Sequence, residues 1–262
     1  MTAAPTTAPT ALIGGSGFQR VPGLEITRAE SIATPFGDPS DALQFGILAG
    51  REWVFLRRHG AGHRIPPHRV NYRANLWALR QAGVARIVAC AAVGGIDSAL
   101  PVGGLVVPEQ LIDATWGRAH TFFDGDSDAL GDPGGESGDA LGDLQHIDFS
   151  RPYCEKLRAD LLAAARRAGV AVAPAGVYAV TQGPRLETAA EIDNLARGGA
   201  TIVGMTGMPE AALARELGLA YATLAIVVNP AAGRAPARID MAAIAAHLEA
   251  GAAKALAVLA QL

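Results

Sequence analysis

The stretch from Thr181 to Pro209, together with Asn229, concentrates side chains that could recognise a small polar ligand. It opens with Thr181-Gln182-Gly183-Pro184-Arg185-Leu186-Glu187-Thr188, continues through Gly204-Met205-Thr206, and enters a helical pattern at Met208-Pro209-Glu210. Strand ends facing each other here would combine a carboxylate (Glu187), a thioether (Met205), a hydroxyl (Thr206) and an amide (Asn229). Such a small, mostly uncharged set suits a flat heterocycle and a sugar. It holds no obvious nucleophile, so in an enzyme the attacking group would have to arrive with the substrates.

A second group of residues reads as an anion site. Ala11-Leu12-Ile13 runs into Gly14-Gly15-Ser16-Gly17-Phe18, and a strand feeding a glycine-rich turn presents backbone N–H groups in a concave nest. Arg20 stands where a dinucleotide fingerprint needs its third glycine, and no Gly-Lys-Ser/Thr follows, so neither that fingerprint nor a P-loop is present. Phe18 replaces the closing glycine of a nucleophile elbow. Alone, the turn is as readily a plain tight turn. Arg57-Arg58-His59-Gly60-Ala61-Gly62-His63 then places cationic candidates at another strand end, and a guanidinium offers a planar fork to phosphate. His59, His63 and His68 match no standard zinc spacing, and Cys90 and Cys154 lie far off in sequence, so no metal site is expected. Val84 to Val93, ending at Gly94-Gly95, is a third strand-to-glycine end, and ligands of open α/β sheets gather at such ends.

The positioning elements follow from periodicity. Leu43–Leu48 and Glu52–Leu56 predict an antiparallel hairpin. Val70–Ala82 predicts an amphipathic helix closed by Gly83, and Pro152–Arg167 another closed by Gly169. Val170–Val180 reads as strand material, Tyr221–Val228 as a buried strand, and Thr188–Arg197, Met208–Leu217 and Ile239–Leu262 as helices. Strands alternating with helices indicate an α/β fold: a single domain from 11 to 262, with a twisted mixed sheet flanked by helices. Residues 1–10 read as a flexible leader, and 125–143, rich in Gly, Asp and Ser, as a mobile acidic insertion. The 262 residues are 50% apolar, with a formal charge of −3, which argues against a nucleic-acid surface. No continuous apolar run reaches the about 18 residues of a membrane span. With a buried-looking Cys90 and no signal-peptide pattern, the expectation is a cytoplasmic protein that contacts neither nucleic acid nor membrane.

Six motifs occur in order: Gly14 to Phe18, Arg58-His59-Gly60, Val70-Asn71-Tyr72-Arg73-Ala74-Asn75, Ala92-Val93-Gly94-Gly95, Gly183 to Thr188, and Gly204-Met205-Thr206 through Pro209-Glu210. Together they resemble the trimeric purine nucleoside phosphorylases, on the branch that includes 5′-methylthioadenosine and S-methyl-5′-thioinosine phosphorylases. The resemblance implies phosphorolysis, in which phosphate attacks C1′ of the sugar as the purine leaves. It assigns phosphate to Ser16, Arg58, His59, the backbone at Ala92, and Thr206. It assigns the ribose to Met205, the base to Leu186, and His146 to a neighbouring subunit's site, so that a homotrimer, or a dimer of trimers, would complete it. No cofactor is implied, because phosphate is a co-substrate.

Base choice can be argued from hydrogen bonding. The methylthioadenosine branch typically carries an Asp where this chain has Asn229, and another where it has Ala231. Asn229 can donate to O6 or N7 while its carbonyl accepts, and Glu187 can accept the N1–H that only a 6-oxopurine carries. This pair predicts preference for 6-oxopurine nucleosides such as S-methyl-5′-thioinosine, inosine or guanosine, with Asn229 and Glu187 stabilising the departing base. Methylthioadenosine phosphorylase is the alternative, and a nucleoside hydrolase a more remote one. Ala91 stands where that branch has a phosphate-binding Thr, and Leu186 where the family often has a Phe. Val70, Ala231 and the helix containing Met241 are candidates to line the 5′ end of the substrate.

Overall fold

Ala11 and Ile13 pack into one core cluster and Leu12 into another, so the first strand is buried on both faces. The same alternation recurs at Ile87 and Ala89 against Val88 and Cys90. The computed structural model describes residues 8–124, 146–236 and 240–262. In chain order the strands are β1 (Thr10–Gly14), β2 (Glu25–Glu30), β3 (Leu43–Leu48), β4 (Arg51–Arg57), β5 (Arg86–Gly95), β6 (Leu105–Val106), β7 (Gln110–Ala114), β8 (Val172–Ala173), β9 (Val177–Thr181), β10 (Ile202–Gly204) and β11 (Ala220–Pro230). The helices are α1 (Tyr72–Gln81), α2 (Glu155–Arg167), α3 (Ala189–Arg197), α4 (Gly207–Glu216) and α5 (Met241–Leu259).

One mixed sheet connects all these strands. Its main path runs β2-β3-β4-β1-β5-β10-β9-β7, and β11 pairs in parallel with β5 along Arg86 to Gly95 before linking to β6 and β8. Helices cover both faces. Leu76 and Trp77 of α1 and Ala211 and Leu213 of α4 bury against one side. Leu157 and Leu161 of α2 and Ala255 and Val258 of α5 bury against the other. By length and composition α5 is apolar enough to cross a membrane, but it carries Glu249 and Lys254 and packs on β11 and α2.

The predicted hairpin is present as β3 and β4. The predicted strand over 170–180 is instead two, β8 and β9, pairing with different neighbours. Pro174 explains the break, since it has no N–H to give a ladder and Gly176 follows it. Thr10, assigned to the leader, already pairs in β1, while residues 1–7 lie outside the described residues, as does the acidic segment 125–143. Helix α5 begins at Met241 rather than 239, because Asp240 caps it by accepting from the Ala242 amide at 2.9 Å.

Candidate active site

Strand β5 organises the site. One of its edges is taken by β11 over its whole length. On the other edge, β1 pairs only as far as Ala89, and β10 joins, antiparallel, at Gly94. Between them Cys90 to Val93 have no strand neighbour on that edge, and the sheet splays open. A cavity of about 670 Å³ fills the gap. Ser16, Arg58, His59, Ala92, Leu186, Glu187, Met205, Thr206 and Asn229 all line it. Of the side chains expected at the site, His146 and Val70 do not: His146 is exposed, away from the cavity of its own chain, and Val70 is buried in the core, so it does not line the 5′ end.

The anion side is built on Arg58, which is 1% exposed. Its Nε and Nη2 donate to the two carboxylate oxygens of Glu210 at 2.7 and 2.8 Å, and Nη1 donates to the Cys90 carbonyl at 3.0 Å. Each terminal nitrogen keeps one further N–H without a partner among the described residues, directed from a fixed guanidinium that lines the cavity. Burial works against the charge, but Glu210 outweighs it and holds the Arg58 pKa above its ordinary value. Tyr221 completes the network, donating to Glu210 at 2.8 Å. Gly15 is required at this point: a Cβ there would lie 2.8 Å from both Arg58 Nη1 and the Cys90 carbonyl oxygen. Thr206, at the start of α4, makes no side-chain cap hydrogen bond and lines the cavity.

The histidines differ from the expectation of a cationic loop. Burial, then the nearby Arg58 charge, lowers His59 to about 4, and the same causes lower His63. Both are neutral at pH 7. His59 Nδ1 lies 2.8 Å from the Ile65 carbonyl, which can only accept, so Nδ1 carries the proton and Nε2 is left as an acceptor. The loop therefore presents the Arg58 guanidinium to the cavity, beside a neutral His59 whose Nε2 can accept a hydrogen bond. Cys90, behind it, is pushed up to about 12 by burial and stays a thiol. Among the described residues no group of three or more His, Cys, Asp or Glu side chains is placed to hold a metal ion.

The opposite side is set by two loops. Glu187 is half-buried, its Oε1 accepting from the Thr181 hydroxyl at 2.5 Å, which leaves Oε2 for a ligand donor. Gly183, at φ 62°, passes so close to Met205 that a Cβ would collide with the sulfur. Asn229 lies just past a bulge in β11, between Val227 and Asn229, which breaks the strict alternation and turns the amide toward the cavity it lines. One N–H of its Nδ2 donates to the Pro230 carbonyl at 2.6 Å; the other N–H and Oδ1 remain. Leu186 is 44% exposed at the rim. The lining also includes Met241 and Ile244 from the first turns of α5, and Pro66 and Pro67, which add carbon surface. Sequence reasoning did not assign Glu210 or Tyr221. The available signal for Glu210 was an acid flanked by apolar residues from Gly207 to Ala214, since a buried carboxylate needs a partner.

Residues 9–262 match the sequence profile of the Phosphorylase superfamily. The chain belongs to that superfamily. It is 54% identical over 251 residues, 96% of each chain, to a probable S-methyl-5′-thioinosine phosphorylase of Pseudomonas syringae pv. tomato. It is 46% identical over 223 residues, 85% of this chain and 80% of the relative, to the 6-oxopurine nucleoside phosphorylase of Pyrococcus furiosus. Among solved structures it resembles methylthioadenosine phosphorylase from Schistosoma mansoni in complex with adenine. The TM-score there is 0.88 at 33% identity, covering 97% of this chain and 90% of that one. Superfamily membership agrees with the mixed α/β sheet and its flanking helices, and with the resemblance carried by the six sequence motifs.

Proposed function

We propose that this superfamily member cleaves 6-oxopurine nucleosides with inorganic phosphate, releasing the free base and a pentose 1-phosphate. The observation that carries this reading is that Asn229 and Glu187 share one cavity with Ser16, Arg58, Ala92 and Thr206. Phosphate, held by the spare N–H groups of Arg58, the Thr206 and Ser16 hydroxyls and the edge of β5 at Ala92, attacks C1′ as the C1′–N9 bond breaks. The bonding pair leaves with the base, and the proton that hydrogen phosphate loses on forming the ester ends on the base as it is released. Asn229 donates to O6 or N7, a hydrogen bond that strengthens as negative charge develops on the purine, while Glu187 accepts from N1–H and fixes the orientation of the base. Holding phosphate against C1′ supplies the orientation that a dilute encounter lacks. The names of the relatives at 54% and 46% identity support the 6-oxopurine preference. The apolar lining from Met241, Ile244, Pro66 and Pro67 supports a methylthio group at the 5′ end, making S-methyl-5′-thioinosine the leading substrate.

A cytoplasmic homotrimer acting without a metal or organic cofactor belongs to the same reading, with His146 completing a neighbouring protomer's site. The second reading, methylthioadenosine phosphorolysis, draws on the structural similarity at TM-score 0.88. The deciding assay incubates the purified protein with S-methyl-5′-thioinosine, inosine, guanosine and methylthioadenosine, each with and without phosphate, and follows base release. Phosphate-dependent release of hypoxanthine or guanine is expected. Turnover of methylthioadenosine alone would replace the base assignment, and turnover without phosphate would replace the reaction.

A further inference from the structure

Arg118 lies in the loop after β7 and is 9% exposed, yet no carboxylate among the described residues comes within ion-pair distance of it. Its guanidinium donates instead to neutral acceptors. Nη2 reaches the Thr181 and Gln182 carbonyls at 3.2 and 2.8 Å, and Nε the Gln182 side-chain oxygen at 3.1 Å. Nη1 reaches the Met205 and Met208 carbonyls at 3.0 and 2.6 Å and the Tyr72 hydroxyl at 3.3 Å. A buried cation without a countercharge is costly, so its persistence asks for a reason beyond stability.

The acceptors supply that reason. Thr181 and Gln182 begin the loop that ends in Glu187, and Thr181 itself donates to Glu187. Met205 and Met208 bracket Thr206, and Met208 leads directly into the turn bearing Glu210, the partner of Arg58. One planar fork thus ties the carboxylate end of the cavity to its anion end. We propose that Arg118 is a positioning residue that fixes the separation between Glu187 and the Thr206–Arg58 anion site, and so lets both ends engage one substrate at once. The role rests on the phosphorylase reading above; the tether itself does not. A lysine would keep the charge, but its single ammonium group cannot span both loops.

The test compares wild type with Arg118→Lys and Arg118→Gln, by hydrogen exchange of the 181–188 and 205–208 amides in the substrate-free protein and by steady-state kinetics with inosine and phosphate. Both segments are expected to exchange at least tenfold faster in Arg118→Lys. Its kcat is expected to fall at least tenfold, while the Kd of phosphate alone, by calorimetry, stays within threefold, because Arg58 keeps its own partners. Unchanged exchange in a folded Arg118→Lys would overturn the tether. Faster exchange with kcat within threefold of wild type would overturn the positioning role. If Arg118→Gln does not fold, the Arg118→Lys comparison decides alone. Absence of wild-type turnover with phosphate and every nucleoside of the deciding assay would defeat the phosphorylase reading and leave the exchange result standing on its own.

Discussion

In the proposed reaction, Asn229 and Glu187 divide the reading of a base between a group that can both donate and accept and a group that only accepts. Asn229→Asp removes the donor that a 6-oxo oxygen needs and provides a carboxylate that accepts from a 6-amino group. The ratio of kcat/KM for methylthioadenosine over S-methyl-5′-thioinosine should rise at least about tenfold, about 1.4 kcal/mol of discrimination. An unchanged ratio would mean that the residue does not touch the base. His59 carries a prediction of a different kind. Its folded pKa, about 4, lies below the ordinary value of 6.5, so the unfolded chain binds the extra proton first. Its contribution to stability is complete above pH 6.5 and is lost as pH falls from 6.5 toward 4, reaching about 3 kcal/mol. His59→Asn keeps a donor for the Ile65 carbonyl but cannot titrate. Urea unfolding between pH 4.5 and 7 should show a shallower loss of stability for the variant, and parallel curves would contradict the assignment.

At the scale of elements, the site is assembled from ends: the turn after β1, the loop after β4, the middle of β5, the start of α4 and the bulged end of β11. These ends were legible in the sequence because glycine, proline and a few polar residues punctuate apolar runs there. Ser16, Arg58, Thr206, Glu187 and Asn229 each stand at such a boundary, and they do line one cavity. What the sequence concealed was pairing across long separations. Arg58 reads in the sequence as a phosphate-facing cation in a Gly-rich loop, but its buried countercharge stays hidden until Glu210, 152 positions away, is brought against it. The neutral state of His59 was hidden for the same reason, since burial and Arg58 set it. Arg118 has no local pattern at all, and its role becomes visible only with its carbonyl partners. The division of 170–180 into β8 and β9 was readable from Pro174 and Gly176, although their apolar surroundings suggested continuity. The Arg58–Glu210 pair also carries a prediction for α4. Glu210→Gln leaves a buried guanidinium without its countercharge and should cost about 3–5 kcal/mol in urea unfolding. A loss below about 1 kcal/mol would show that the pair is not needed to hold α4 in place.

For the molecule as a whole, the decisive feature is that β5 receives β11 on one edge while β1 and β10 share the other. The partners come from opposite ends of the chain, so the opening beside Cys90–Val93 has no counterpart in any short stretch of sequence. Pairings of such long separation must first meet the entropy of closing the loops between them, so they are expected late on the folding route. A ligand of the finished opening then finds nothing to grip in the transition state for folding. Added phosphate should raise the midpoint of thermal denaturation by mass action. In stopped-flow experiments its influence should fall on the rate of unfolding and leave the refolding rate nearly untouched. Saturating phosphate that accelerated refolding would mean that the opening forms early. If unfolding alone slows, phosphate keeps the folded protein by delaying its opening rather than by hastening its assembly.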